Sequence, residues 1–199
     1  MERKTEQPRR RPRADYLRNR ERLLTAAAEV FRTHGGQATL EGVAKAAGVG
    51  IGTLYRHFPT REALFEAVYR REINEMVALA ERLEGEADPV AALRQWVHAN
   101  IRLIATKQGM LTALALAVDK SSEIYTYSYT SLTGAIARLL ARAKEAGRMR
   151  EDVTPEDLLL TLIGMCLVRT GPGFEDDVTR LADLFLDGLT KGQGDSGGM

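Results

Sequence analysis

The feature that most constrains this fold is a helical spacing of apolar residues that recurs along almost the whole chain of 199 residues. Over residues 15–33, for example, Leu17, Leu24, Ala28 and Phe31 fall on one face of a helix. We find no convincing pattern of alternating apolar and polar residues, which is the signature of a half-buried strand. The sequence therefore predicts an all-α fold of about nine helices, without internal repeats.

Capping residues, glycines and prolines mark where these helices begin and end. Thr39, Thr60 and Asp88 are suited to cap helix N-termini, and Thr154 opens a capping box. Gly48 is suited to a left-handed turn, because glycine adopts positive φ without a steric penalty. The predicted helices cover about residues 15–33, 39–46, 50–57, 60–85, 88–108, 110–118, 121–147, 154–171 and 174–190.

Several classes of protein are disfavoured by single residues or short stretches. A lone cysteine, Cys166, excludes an intramolecular disulfide and a cysteine zinc site. Residues 158–168, the longest charge-free apolar stretch of note, provide about half the length of a membrane-spanning helix. His34, His57 and His98 have no spaced partners that suggest a metal site or a catalytic triad. We therefore expect a soluble, cytoplasmic protein with no membrane span, metal, cofactor or catalytic residue.

The net charge of +1 conceals two halves of opposite sign. Residues 1–75 carry 15 Lys and Arg against 10 Asp and Glu, whereas residues 76–199 carry 13 against 17. This asymmetry is modest, and it is expected of a chain that meets phosphates at one end only. Six of the basic residues lie within residues 1–13. Such an arm is usually a solvated tail, and insertion into a DNA minor groove is the alternative.

The first three predicted helices have the order of a helix-turn-helix, in which a glycine-containing turn joins two short helices. The more specific signal is TLEGVAKAAGVGIGTLYRHFPTREAL, at residues 39–64. This stretch closely resembles the DNA-binding signature of the TetR family of bacterial repressors. The resemblance extends from about Leu23 to Val68, and beyond it only the helix pattern and the chain length agree. It implies a homodimeric repressor that binds a palindromic operator of double-stranded DNA and releases it when a small-molecule effector binds.

The resemblance also implies roles for individual residues of the DNA-binding module. Thr39, Tyr55, Thr60 and Arg61 are expected to contact phosphates. The positions expected to face the major groove are Ile51, Gly52, Thr53, Arg56 and His57. Among these, Arg56 is the best candidate for a guanine contact, because its guanidinium matches O6 and N7 of guanine. Leu54 and Phe58 are expected in the core, whereas packing for Tyr55 and plain solvation for His57 stay open as alternatives.

The same resemblance divides the chain into a flexible basic arm (1–14), a helix-turn-helix domain (15–61), a ligand-binding and dimerisation domain (62–190) and a flexible tail (191–199). Candidate ligand-binding residues are Trp96, Asn100, Met110, Leu114, Tyr125, Tyr129, Met165 and Cys166. They suggest an uncharged effector that is apolar or aromatic, although core packing explains each of them as well. Candidate dimerisation residues are Leu158, Leu162, Val178, Leu181, Leu184 and Phe185, and simple amphipathic packing within the subunit stays open as the alternative.

A different class of function is also compatible with an all-α chain of this length. In this alternative the helical core carries the function, as a small-molecule carrier or an enzyme, and the DNA-binding module is vestigial. Sequence-specific DNA binding distinguishes the two interpretations.

Overall fold

The computed structural model describes residues 11–34, 37–105, 123–168 and 173–191. These residues form eight helices: α1 (Arg11–His34), α2 (Leu40–Ala47), α3 (Ile51–His57), α4 (Arg61–Leu83), α5 (Pro89–Ala105), α6 (Glu123–Glu145), α7 (Pro155–Val168) and α8 (Phe174–Leu189). An isolated antiparallel bridge joins Met149 to Thr190. The all-α class is confirmed. The helix predicted at 110–118 and the tail predicted at 192–199 lie outside the described residues.

Local capping chemistry explains several helix starts. The Oδ1 atom of Asp88 accepts a hydrogen bond from the backbone N–H of Val90 at 2.9 Å. At α7, the backbone N–H of Asp157 donates to Oγ1 of Thr154 at 3.1 Å, and the N–H of Thr154 donates back to the Asp157 carboxylate at 3.0 Å. This reciprocal pair is a capping box, as predicted. It satisfies backbone donors that a helix start otherwise leaves without partners.

The chain forms two compact units, and the boundary between them falls inside α4, after Val68. In the first unit, α1 packs against α2 and buries one face. The buried apolar residues of this unit are Leu23, Leu24, Ala27, Phe31, Ala38, Val43, Ala44, Ala47, Leu54, Phe58, Leu64, Phe65 and Val68.

Helix α1 differs from its prediction at its N-terminal end. It begins at Arg11, so residues 11–14 are helical and do not belong to a flexible arm. Leu17, which the periodicity places on the inner face, is 54% exposed. A periodic pattern identifies the face of a helix, but it does not show how far the neighbouring helices extend along that face.

The second unit is built around α5, which packs against α6, α7 and α8. Trp96 at its centre is fully buried, and its indole N–H donates to the carbonyl oxygen of Met76 at 2.9 Å. A buried tryptophan with a satisfied N–H contributes a large apolar area without a desolvation penalty. Trp96 therefore links α5 to α4 within the core of this unit.

A charged cluster fixes α8 against α5. Arg94 contacts Asp183 and Asp187 with one nitrogen each, at 2.5 Å, and His98 Nε2 lies 2.8 Å from the same Asp183 carboxylate. Burial alone would raise the pKa of Asp183, but the hydrogen bonds and positive charges of His98 and Arg94 lower the pKa instead. These contacts hold one side of α8 against α5 within the second unit.

Candidate functional site

The turn between α2 and α3 is held in a left-handed conformation. Gly48 has φ +63° and donates its N–H to the carbonyl oxygen of Lys45 at 3.1 Å, and Val49 donates to Ala44 at 3.0 Å. Arg22 of α1 donates to the carbonyl oxygen of Gly48 at 3.3 Å. A Cβ atom at Gly48 would lie 2.7 Å from this guanidinium and would require strained backbone. The role predicted for Gly48 is confirmed, and the turn sets the angle at which α3 leaves α2.

Helix α3 buries one side and exposes the other. Leu54 is fully buried and Phe58 is 3% exposed, so their predicted place in the core is confirmed. Ile51 and Tyr55, one turn apart, are 38% and 46% exposed. Large apolar and aromatic side chains are seldom left in water without a reason when they stand together. The outer face of α3 is therefore a candidate contact surface.

Of the other residues predicted to face the groove, Gly52 and Arg56 are exposed and Thr53 is half-buried. The Arg56 guanidinium donates to Oγ1 of Thr53 at 2.9 Å, which holds it against its own helix. Gly52 is exposed, and a Cβ atom at Gly50 or Gly52 would meet nothing within 4 Å among the described residues. The two glycines therefore leave the start of α3 flat, so that another surface can approach its backbone closely.

Two threonines cap the helices on either side of α3 along the chain. Oγ1 of Thr39 accepts from the N–H of Gly42 at 3.1 Å, and Oγ1 of Thr60 accepts from the N–H of Ala63 at 3.0 Å. A hydroxyl that accepts a bond still has its own hydrogen to donate. Both side chains are exposed, as is Arg61 beside Thr60. Each hydroxyl can therefore cap its helix and donate to an external anion at the same time.

His57, at the end of α3, is enclosed more than the other candidates. Its ring lies against that of Tyr16 in α1, with centroids 4.1 Å apart and planes inclined by 39°. Burial lowers the pKa of His57, and the positive charges of Arg20 and Arg56 lower it further. Nδ1 of His57 is buried without a hydrogen-bond partner among the described residues. Tyr16 and Arg20 were not among the predicted residues, although both continue the inner face of α1 toward its N-terminus.

A narrow apolar cleft lies inside the second unit. It encloses about 10 Å³, which is space for about one water molecule. Of the candidate ligand-binding residues, Trp96 and Met165 line it. The complete lining consists of Leu93, Trp96, Val97, Ile136, Leu158, Thr161, Leu162, Met165, Ala182, Phe185 and Leu186.

The structure does not bring the other candidate ligand-binding residues into this cleft. Asn100 and Cys166 are buried elsewhere in the core, and burial raises the pKa of the Cys166 thiol to about 11. Tyr125 and Tyr129 stack on each other with ring centroids 5.9 Å apart. Tyr127 lies apart from them and donates its hydroxyl to Asn74 at 2.5 Å. Met110 and Leu114 lie outside the described residues.

The candidate dimerisation residues include a buried set and a set that is at least partly exposed. Leu158, Leu162 and Val178 are buried inside the subunit, whereas Leu181 and Phe185 are half-buried and Leu184 is 59% exposed. Three further residues of α7 are exposed and were not predicted at the interface. They share one face at spacings of three and four: Leu160, Ile163 and Leu167. Among the described residues, every exposed large apolar side chain of the second unit lies on α7 or α8.

Within the described ranges, no helix combines the length and the apolar character needed to cross a bilayer. The same ranges contain no group of three or more His, Cys, Asp or Glu side chains placed to hold a metal ion.

Comparisons with known proteins match both units. Residues 23–68 match the family described as bacterial regulatory proteins, tetR family, and residues 88–191 match the description transcriptional regulator SbtR-like, C-terminal domain. The HTH-type transcriptional repressor Rv1474c of Mycobacterium tuberculosis is 32% identical over 177 residues, 84% of this chain and 90% of the relative. A TetR transcriptional regulator, SCO0520 of Streptomyces coelicolor, superimposes with a TM-score of 0.73 at 40% identity, covering 86% of this chain and 98% of that one. A TetR transcription regulatory protein of Mycobacterium vanbaalenii gives 0.69 at 30% identity, with 90% and 99% covered.

Proposed function

The chain belongs to the TetR family of bacterial transcriptional regulators, and from this premise we propose that it is a homodimeric, cytoplasmic repressor that leaves a palindromic operator when a small molecule binds its second unit. That it is a transcriptional regulator with a helix-turn-helix DNA-binding domain follows from the family itself. Repression is supported by the relative from Mycobacterium tuberculosis, which is named a repressor. The rest of the proposal depends on the residues described above.

The outward face of α3 carries the DNA-binding part of the proposal. Leu54 and Phe58 anchor the helix in the core, which turns Ile51, Tyr55 and Arg56 toward solvent. In a helix-turn-helix, the second helix lies in the major groove with its early residues against base edges. The groove-facing set then comprises Ile51, Gly52, Thr53, Arg56 and His57, of which Arg56 reads a guanine.

Phosphate contacts flank this reading face. The capping hydroxyls of Thr39 and Thr60 donate to phosphate oxygens, and the Tyr55 phenol and the Arg61 guanidinium provide two further donors. Such contacts fix the position of the protein on the duplex and add affinity that does not depend on sequence.

The exposed side chains of α7 and α8 support the dimer in this proposal. Leu160, Ile163, Leu167 and Leu184 form the apolar face that a second copy of the chain covers, and Leu181 and Phe185 support it from a half-buried position. Leu158, Leu162 and Val178 act behind this face as subunit core. Two such helices from each subunit make a four-helix bundle. A twofold axis through the bundle pairs two DNA-binding units and so explains a palindromic operator.

Effector binding belongs to the second unit in this proposal. The cleft beside Trp96 and Met165 has apolar walls, which favours an uncharged apolar or aromatic molecule, but it must widen to admit one. An effector that prefers the widened state lowers operator affinity by the ratio of its affinities for the two states.

Selection of DNA sequences against the full-length protein, followed by a salt titration, tests the proposal. We expect a palindromic site bound at least about a thousandfold more tightly than random DNA, with affinity that falls steeply as salt increases. If no sequence exceeds random DNA by about tenfold at moderate salt, the regulator proposal is wrong. That result would favour the alternative of a carrier or an enzyme with a vestigial DNA module.

The cap at Thr39 allows a test that separates folding from DNA contact. Aspartate and asparagine both cap helices well, but only aspartate brings a negative charge to the proposed phosphate site. We expect the free energies of unfolding of Thr39→Asp and Thr39→Asn, measured in urea, to lie within about 1 kcal/mol of that of the natural protein. Thr39→Asp should bind DNA about five- to tenfold more weakly than its neutral counterpart, measured by fluorescence anisotropy. Equal affinities of the two variants would remove Thr39 from the phosphate-binding set.

A further inference from the structure

The inner face of α1 continues beyond the helices that cover it. In its C-terminal half this face buries Leu24 and Phe31. At the same helical spacing it continues toward the N-terminus as Arg20, Tyr16 and Arg13. Tyr16 is 50% exposed and the Arg20 side chain 39% exposed, and Arg13 is exposed as well. We call these three residues the α1 stripe.

The α1 stripe lies beside the C-terminal end of α3. The Tyr16 ring lies against that of His57, as described, and the Arg20 guanidinium lies 5.5 Å from the ring centroid of Phe58. Arg20 also lies 3.9 Å from the carboxylate of Glu21, which is a loose and exposed pair. The two aromatic contacts make the stripe a direct continuation of the surface that α3 presents.

The charge of this continuation is positive. Burial favours the neutral imidazole of His57 most, and the positive charges of Arg20 from α1 and Arg56 from α3 favour it further. Two guanidiniums beside a neutral ring suit an anion, because both attract its negative charge and the neutral ring does not repel it. Tyr16 adds a hydroxyl donor in the same place.

We propose that Arg13, Tyr16 and Arg20 bind phosphate groups of the DNA backbone flanking the bases that α3 reads. The partner is double-stranded DNA because the stripe is basic and continuous with the reading face. The inference rests on the proposed DNA-binding function and enlarges its interface from the helix-turn-helix onto α1. It places the added contacts on an ordered helix and does not require the residues that precede Arg11.

The test is the salt dependence of DNA binding by the full-length chain, measured on its selected operator and on random DNA. Each phosphate contact contributes about 0.9 to the slope of log K against log salt. We expect Arg13→Gln and Arg20→Gln each to reduce the slope by about that amount and to weaken binding to both DNAs about three- to tenfold. Tyr16→Phe keeps the ring against His57 but removes the hydroxyl, and should weaken binding about threefold with the same sequence preference.

Arg18→Gln is the matched control. Arg18 projects from the opposite side of α1 and lies 3.5 Å from Asp15, so its replacement should leave the slope unchanged. Thermal melts accompany every variant, because Arg20→Gln also removes the contact with Phe58. If Arg20→Gln is destabilised, Arg13→Gln decides the outcome.

Two results would overturn the inference, and they are distinguishable. If the natural protein selects no operator, the proposed function fails and the α1 stripe fails with it. If it selects an operator but Arg13→Gln and Arg20→Gln keep the slope of Arg18→Gln, only the α1 stripe is wrong. In that case an acidic protein partner would become the better explanation for the exposed face.

Discussion

Replacing Leu184 by glutamate should convert the proposed dimer into monomers and remove tight binding to the proposed two-half-site operator. Leu184 is 59% exposed in the subunit, so the change leaves the subunit core intact. In a twofold interface the substitution occurs twice and buries two carboxylates without partners, which costs several kcal/mol. We expect the dimer dissociation constant to rise at least about 100-fold, with a similar loss of operator affinity because the two half-sites are no longer linked.

Sedimentation velocity and anisotropy on the operator measure these two effects. Leu17→Glu is the control for the sedimentation experiment, since Leu17 is a leucine of similar exposure, 54%, in the first unit. Circular dichroism should show that Leu184→Glu retains its helix content. A variant that stays dimeric with its helices intact would place the interface on another surface.

The orientation of α8 explains why Leu184 faces outward. Asp183 and Asp187 are held by Arg94 from α5, with His98 also on Asp183. On the inner side of the same helix, Val178 and Leu186 are buried. Leu184 lies away from both sets of contacts. Burial of Val178 and Leu186, together with the contacts of Arg94 to the two aspartates, fixes the rotation of α8 that leaves Leu184 exposed.

Helix ends could be predicted from the sequence because they depend on short-range chemistry. Thr39, Asp88 and Thr154 each bond to backbone donors within three residues, and Gly48 adopts the positive φ that glycine tolerates. Leu54 and Phe58 were equally predictable, since a short amphipathic helix has only one side that can enter a core.

The exposed face of α7 could not be predicted in the same way. This helix is apolar nearly all round, so periodicity gives it no preferred direction. Leu158 and Leu162 were expected at the interface but lie in the subunit core, whereas Leu160, Ile163 and Leu167 are exposed. Only the positions of neighbouring helices distinguish these two sets. Leu17 is exposed, contrary to its prediction, for a related reason. The helices that pack on this face of α1 do not extend as far as its N-terminal end.

Arg56→Ala should weaken operator binding by about 1–3 kcal/mol, roughly 5- to 150-fold, and relax the preference at one base position of each half-site. Arg56 stands on the exposed face of α3, and its bond to Thr53 orients the guanidinium along that face. A guanidinium recognises guanine with two parallel hydrogen bonds, which no other base offers in the same geometry. Arg56→Lys should restore affinity for random DNA but not the base preference, because an ammonium is a single point of charge.

Repeating the selection with each variant measures the base preference directly, and anisotropy measures the affinity. Arg61→Ala is the contrast, because a phosphate contact affects all sequences alike and should weaken binding without changing the selected site. The two alanine variants lose the same charge, but only Arg56→Ala should change the base preference. If Arg56→Ala selects the same site with the same stringency as the natural protein, Arg56 does not read a base. The reading role would then pass to Ile51, Thr53 and His57 on the same helix, or to the shape of the DNA between the phosphate contacts.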